Sequence, residues 1–143
     1  RFEAMARLSD EGMPTGISIS PIIPGLNDED IPELLERAKQ AGACEAMATL
    51  LRLSGPVESV FLERIAEAFP ERLAKITHRI EEVRGGAMTD STFFSRHHGK
   101  GPYWTMIEQL YDVARRKAGF AILEDEVVPQ TFRRPGREQT LLF

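Results

Sequence analysis

Apolar residues recur along this chain with two different periods, and the switches between them outline its elements. Phe2, Met5, Ala6 and Leu8 repeat at helical spacing, and Gly12 supplies a stop. Gly16-Ile17-Ser18-Ile19-Ser20 then alternates residue by residue, predicting a strand over residues 16–23 that is buried on at least one face. A proline-clamped turn comes next, Pro21-Ile22-Ile23-Pro24-Gly25-Leu26-Asn27-Asp28. From Asp28 a helix is predicted through Ala41, with Ile31, Leu34, Leu35 and Ala38 as its inward stripe and Gly42 at its end. Asp28, Glu29 and Asp30 place negative charge at that helix's positive end, although Asn27 and Asp28 also stand where a ligand could be reached. Residues 45–53, carrying Met47, Leu50, Leu51 and Leu53, make the second predicted strand.

Helix, strand, helix and strand with short connections imply an α/β fold with right-handed crossovers and parallel pairing. Turns after the carboxyl ends of parallel strands are where ligands sit, so the Pro21 to Asp28 loop faces any active site. Two parallel strands do not make a stable sheet, so further strands are expected from elsewhere. A chain that starts at Arg1 already in a helical pattern fits the same expectation of a piece of something longer. Its unpaired strand edges predict a homo-oligomer, by dimerisation or swapping, if it folds alone.

After Ser54-Gly55-Pro56 the pattern is helical, with Ser54 as a cap and Pro56 in the first turn. Phe61, Leu62, Ile65, Ala66 and Phe69 share one face, and Pro70 ends it. Leu73, Ile76, Ile80 and Val83 mark the next helix, closed by Gly85-Gly86. Residues 87–101 read as a polar loop with a helical turn around Phe93 and Phe94. Pro102 opens a last helix with Ile107, Leu110, Val113 and Ala114 on its inner face, and an extended tail begins at Phe120. The expected division is residues 1–54 for the βα units, 55–84 for a packed helical segment and 85–143 for a C-terminal extension with a glycine-rich basic loop, a helix and an extended tail.

Composition adds limits rather than direction. At 143 residues the chain can bury one core, and 42% hydrophobic with 28% charged residues is ordinary for a globular protein. A net charge of -4 argues against nonspecific coating of nucleic acid. Residues 1–85 hold 15 acidic and 10 basic side chains, while 86–143 hold 7 and 8, so only the second part leans cationic, by +1. A single cysteine, Cys44, excludes a disulfide framework and any multi-cysteine metal or iron–sulfur site built from this chain alone. It fits a reducing cytosol. No apolar run approaches the roughly 20 residues of a membrane helix and no signal peptide is visible, so a cytoplasmic chain without a membrane partner is expected.

Candidate chemistry is sparse. His97-His98 on a loop lacks the companion ligands of a metal site and reads as a solvated pair beside Arg96 and Lys100. His78 reads as a surface or packing residue, and Cys44, with no base partner, as a small buried thiol. The run from Ser95 to Trp104 combines glycines, the cations Arg96 and Lys100, and the aromatic rings of Tyr103 and Trp104, leading into a helix amino terminus. That combination suits nucleic acid, with phosphate on the cations and a base on Tyr103, while the rings equally suit the last helix's core.

Four pieces in order carry a resemblance. They are Ser20 to Asp28, Leu50-Leu51-Arg52-Leu53 followed by Gly55-Pro56-Val57, the connection from Arg84-Gly85-Gly86 to Gly101-Pro102-Tyr103, and the terminal Gln139-Thr140-Leu141-Leu142-Phe143. Together they resemble the C-terminal part of radical S-adenosylmethionine proteins of the spore photoproduct lyase-like, "DNA repair photolyase" group. The resemblance implies a partial (β/α)6 barrel whose last two strands are those above, followed by a mainly helical extension. It implies S-adenosylmethionine and a [4Fe–4S] cluster in the full-length parent, the cluster held by a C-x3-C-x2-C motif that this chain lacks. Neither cofactor is expected to be bound by this chain alone, which is therefore expected to be inactive, its first partner being the remainder of the same protein.

By the same likeness Pro21, Ile22 and Ile23 after one strand, and Leu51 and Arg52 at the other, contribute to the cofactor wall. Arg52 can meet a carboxylate or phosphate there, or pair with an acidic helix residue at the rim. The ending from Gln139 also resembles the pentapeptide by which bacterial proteins dock on the DNA sliding clamp, through Gln139, Leu142 and Phe143, with Thr140 departing from the usual leucine. A noncatalytic module for DNA or the clamp, and a piece of another (β/α) barrel enzyme, are the alternatives.

Overall fold

A computed structural model of the protein describes residues 1–89 and 97–120. Among these residues the order is α1 (Phe2–Asp10), β1 (Gly16–Ile22), α2 (Ile31–Gln40), β2 (Glu45–Leu50), α3 (Val57–Ala68), α4 (Leu73–Arg84) and α5 (Gly101–Lys117). The fold is α/β, with five helices and one small sheet of two parallel strands among the described residues.

Gly16 stands opposite Glu45, and the register holds to Ile19 opposite Ala48, then slips so that Ile22 meets Leu50. Ser20 and Pro21 therefore oppose Thr49 alone, a bulge at the residue that has no N–H to give a ladder. The slip returns Ile22 to the face of Leu50, and both are buried. Ile17, Ile19, Ala46 and Ala48 point to that same face and join the main core with α2 and α5. Alternation sends Ser18, Ser20, Met47 and Thr49 the other way, where Met47 is 58% exposed.

Helix α2 lays Ile31, Leu35 and Ala38 on the sheet, all at 0% exposure. Burial of each large aliphatic side chain there stabilises the fold by about 1.5–3 kcal/mol. Helix α5 adds Trp104, Ile107 and Ala114 to the same core, and α1 packs Phe2 and Met5 against it. A second cluster forms where Leu51 and Leu53 meet Ile65 of α3 and Ile76 and Ile80 of α4.

Several expectations shift at element boundaries. β2 ends at Leu50, short of residue 53, because Leu51 and Leu53 leave the ladder yet stay buried in the second core. An apolar run records burial, which here outlasts the strand. A 3-10 turn over Asp28–Asp30 precedes α2, whose α-helical part starts at Ile31. Ser54 contributes its carbonyl, which accepts Val57 N–H at 3.3 Å, and no side-chain cap precedes α3. Val113 is 56% exposed, since the buried stripe of α5 runs through Trp104, Ile107 and Ala114 and leaves Val113 about 100° away. Cys44 is exposed, its thiol donating to the Thr15 carbonyl at 3.0 Å, so it is no buried thiol. The turn expected near Phe93 and the tail after Phe120 lie outside the described residues. Among those described, no helix is long and apolar enough to cross a membrane.

Candidate functional site

Parallel pairing brings the carboxyl ends of β1 and β2 to one end of the sheet, where four segments converge. Leu51 N–H donates to the Ile22 carbonyl at 2.8 Å, tying the two strand exits together. The segment at 97–100 closes over this end: His97 O accepts Leu50 N–H at 3.2 Å, and Lys100 N–H donates to Val83 O at 2.8 Å. Arg84, only 7% exposed, reaches in from α4 and donates to Leu51 O at 2.6 Å and His98 O at 3.2 Å. One charged fork thus pins the exit of β2 to the loop before α5.

The proline turn is held from within. Asn27 Oδ1 accepts Ile23 N–H at 2.7 Å, and Asn27 Nδ2 donates to Pro21 O at 3.1 Å, the local side-chain bonding that suits asparagine to turns. Gly25 needs its φ of +78°, and its carbonyl accepts Arg72 at 3.0 Å. Asp28 is buried and accepts the Tyr103 hydroxyl, and the Arg79 guanidinium lies 4.1 Å from the Tyr103 ring centre. Burial, with the bond to Asp28 second, pushes the Tyr103 hydroxyl up to about 12. Asn27 and Asp28 therefore build the turn rather than face a ligand.

Of the five residues expected in a cofactor wall, Ile22 is buried in the main core and Leu51 in the second, against which Ile23 packs half-buried. Their carbonyls are engaged as well: Ile22 O by Leu51, Ile23 O by Leu26 and Asn27, and Leu51 O by Arg84. Pro21 and Arg52 are the two whose side chains stand exposed. Arg52 makes no ion pair among the described residues, so the alternative of a rim pair with an acidic helix residue is not realised there.

The loop expected to meet nucleic acid divides. Lys100, His97 and His98 are exposed beside the strand exits, whereas Trp104 is core and its indole N–H donates to Glu108 at 2.6 Å. Gly99 permits close approach, but to Trp104: a Cβ there would lie 2.5 Å from the indole. Tyr103 has its hydroxyl on Asp28 and one ring face under Arg79. Arg96, Gln139, Leu142 and Phe143 lie outside the described residues. No group of three or more His, Cys, Asp or Glu side chains among those described is placed to hold a metal ion.

Two features went unread in the sequence. Arg84 was legible only as part of a connection, because its partners lie 33 and 14 residues away. The second is a hydroxyl row on the face of the sheet that no described helix covers, Ser18 to Ser20 at 3.0 Å and Thr49 to Ser20 at 2.8 Å. Its signal was present in the Ile-Ser-Ile-Ser alternation.

Compared with protein-family models, curated proteins and solved structures, the chain matches none.

Proposed function

We propose that this chain is the closing arc of a partial (β/α)6 barrel of the radical S-adenosylmethionine type, from a cytoplasmic enzyme acting on nucleic acid or its bases. The observation that supports it is the one-sidedness of the sheet among the described residues. α1 and α2 pack on the same face, Phe2 and Met5 joining the core that holds Ile31, Leu35 and Ala38. Successive right-handed crossovers on one face add strands in one direction, which curls a sheet toward a barrel; a doubly wound sheet needs helices on both faces. On this reading Ser18, Ser20, Met47 and Thr49 face a lumen, and the neighbouring strand lies along the outer edge of β1.

Arg52, exposed at the strand exits and without an ion pair among the described residues, suits the carboxylate of S-adenosylmethionine, with Pro21 as an apolar contact beside it. Lys100, His97 and His98 at the same end suit a phosphate-bearing substrate. The two cofactors together would supply reductive cleavage to a 5′-deoxyadenosyl radical. The cluster does not fit this chain, whose one cysteine is Cys44, so its three thiolates belong to another part of the polypeptide.

The decisive test is the reading frame ahead of Arg1, where a C-x3-C-x2-C triplet is expected; a complete frame without one sinks the reading. In the reconstituted full protein, Arg52→Ala should weaken S-adenosylmethionine binding about threefold or more, and a change below about 0.5 kcal/mol removes Arg52 from the site.

A further inference from the structure

Strand β1 is an edge strand whose protections, Pro21 and the bulge beside it, sit at one end and leave Gly16 to Ile19 open among the described residues. Its seven residues, Gly16 to Ile22, include no charged side chain, and the bulge at Ser20-Pro21 interrupts only its far end. Pro21 O is taken by Asn27, but among the described residues nothing except β2 bonds the backbone from Gly16 to Ser20. β2 is closed by comparison. On its outer edge the Ala46 carbonyl accepts the Tyr111 hydroxyl at 2.8 Å and Leu50 N–H donates to His97 O at 3.2 Å.

We infer that the outer edge of β1 is a docking edge whose occupant is a second copy of this chain, paired antiparallel about a twofold axis to give the order β2-β1-β1′-β2′. Self-pairing sets this uncharged strand against itself, so no like charges meet across the axis. Ser18 and Ser20 come opposite serines of the partner on one face, and Ile17 and Ile19 extend the apolar face beneath the helices on the other. A two-stranded sheet becomes four-stranded, within the usual range for a stable sheet. The β2 edge cannot serve, because Tyr111 and His97 already stand on it. The radical S-adenosylmethionine reading gives this same edge to a neighbouring barrel strand, so the dimer is inferred for this chain standing alone: its test uses the chain, and the S-adenosylmethionine test uses the full protein.

Sedimentation equilibrium on the chain between about 10 µM and 1 mM should show a concentration-dependent dimer. Ser18→Lys, which brings a lysine of each copy near the axis, should weaken that dimer at least about tenfold. Val113→Lys, an exposed change on α5, should leave it unaltered. Residue-resolved amide exchange of the unsubstituted chain guards against a misfolded variant: β1 amides should slow with rising concentration while Leu50 does not change. A monomer throughout the range overturns the inference. So does a dimer whose β1 amides exchange at the same rate at every concentration.

Discussion

Along β2 a tyrosine hydroxyl and a loop carbonyl occupy the outer edge, at Ala46 and Leu50, whereas along β1 the backbone from Gly16 to Ser20 meets only β2 among the described residues. The two faces of the sheet differ in the same sense. Ile19, Ala46 and Leu50 lie under α2 and α5, while Ser18, Ser20 and Met47 lie bare. Closure of the edges therefore depends on where later segments of the chain return: α5 and the loop before it bond to the outer edge of β2, and no described segment bonds to the outer edge of β1 from Gly16 to Ser20. Among the described residues the sheet is therefore bonded along the outside of β2 and open along the outside of β1.

Core substitutions should separate the two faces most sharply. Ile107→Ala, at 0% exposure under the sheet, should cost about 2–5 kcal/mol in chemical denaturation. Met47→Ala on the bare face should stay within about 0.5 kcal/mol. Equal losses would mean that the bare face is packed in solution.

The closed end of β2 comes next. Arg84→Met keeps the aliphatic stem but leaves Leu51 O and His98 O without their donor, and should cost about 2–3 kcal/mol. A variant as stable as the parent would show that the 97–100 segment holds its place without Arg84.

A smaller effect is expected at Tyr103. Its hydroxyl, raised from 10.0 to about 12 chiefly by burial, keeps its proton longer in the folded state than in the unfolded one. The stability it contributes is therefore complete below pH 10 and lost as pH climbs toward 12. The difference in stability between the parent and Tyr103→Phe should shrink across that window, and a difference flat in pH would remove the assignment.

How far the sequence foretold this structure varied with the range of the interactions involved. The stripe of Ile31, Leu35 and Ala38 was legible because a helical period is written within ten residues. The Ile-Ser alternation likewise contained both faces of β1, although only its buried side was read. Illegible were contacts closed over long separations. Tyr103 meets Asp28 across 75 residues and Tyr111 meets Ala46 across 65, and nothing local announces either. Val113 misled because it is apolar and close in sequence to the stripe while about 100° away around the helix. At the candidate site the proline turn was found, but the engagement of the Ile22, Ile23 and Leu51 carbonyls, which leaves Arg52 and Pro21 as the exposed groups, is a property of the folded chain alone.

Residue-resolved amide exchange on the sheet, at about 10 µM where association is weak, reads the unfinished edge most directly. An edge strand bonded on one side protects every second amide, so β1 should alternate between slow and near-random-coil exchange while the Leu50 amide stays protected by His97 O. Unbroken protection along β1, or a Leu50 amide as fast as the fastest in β1, would contradict the account.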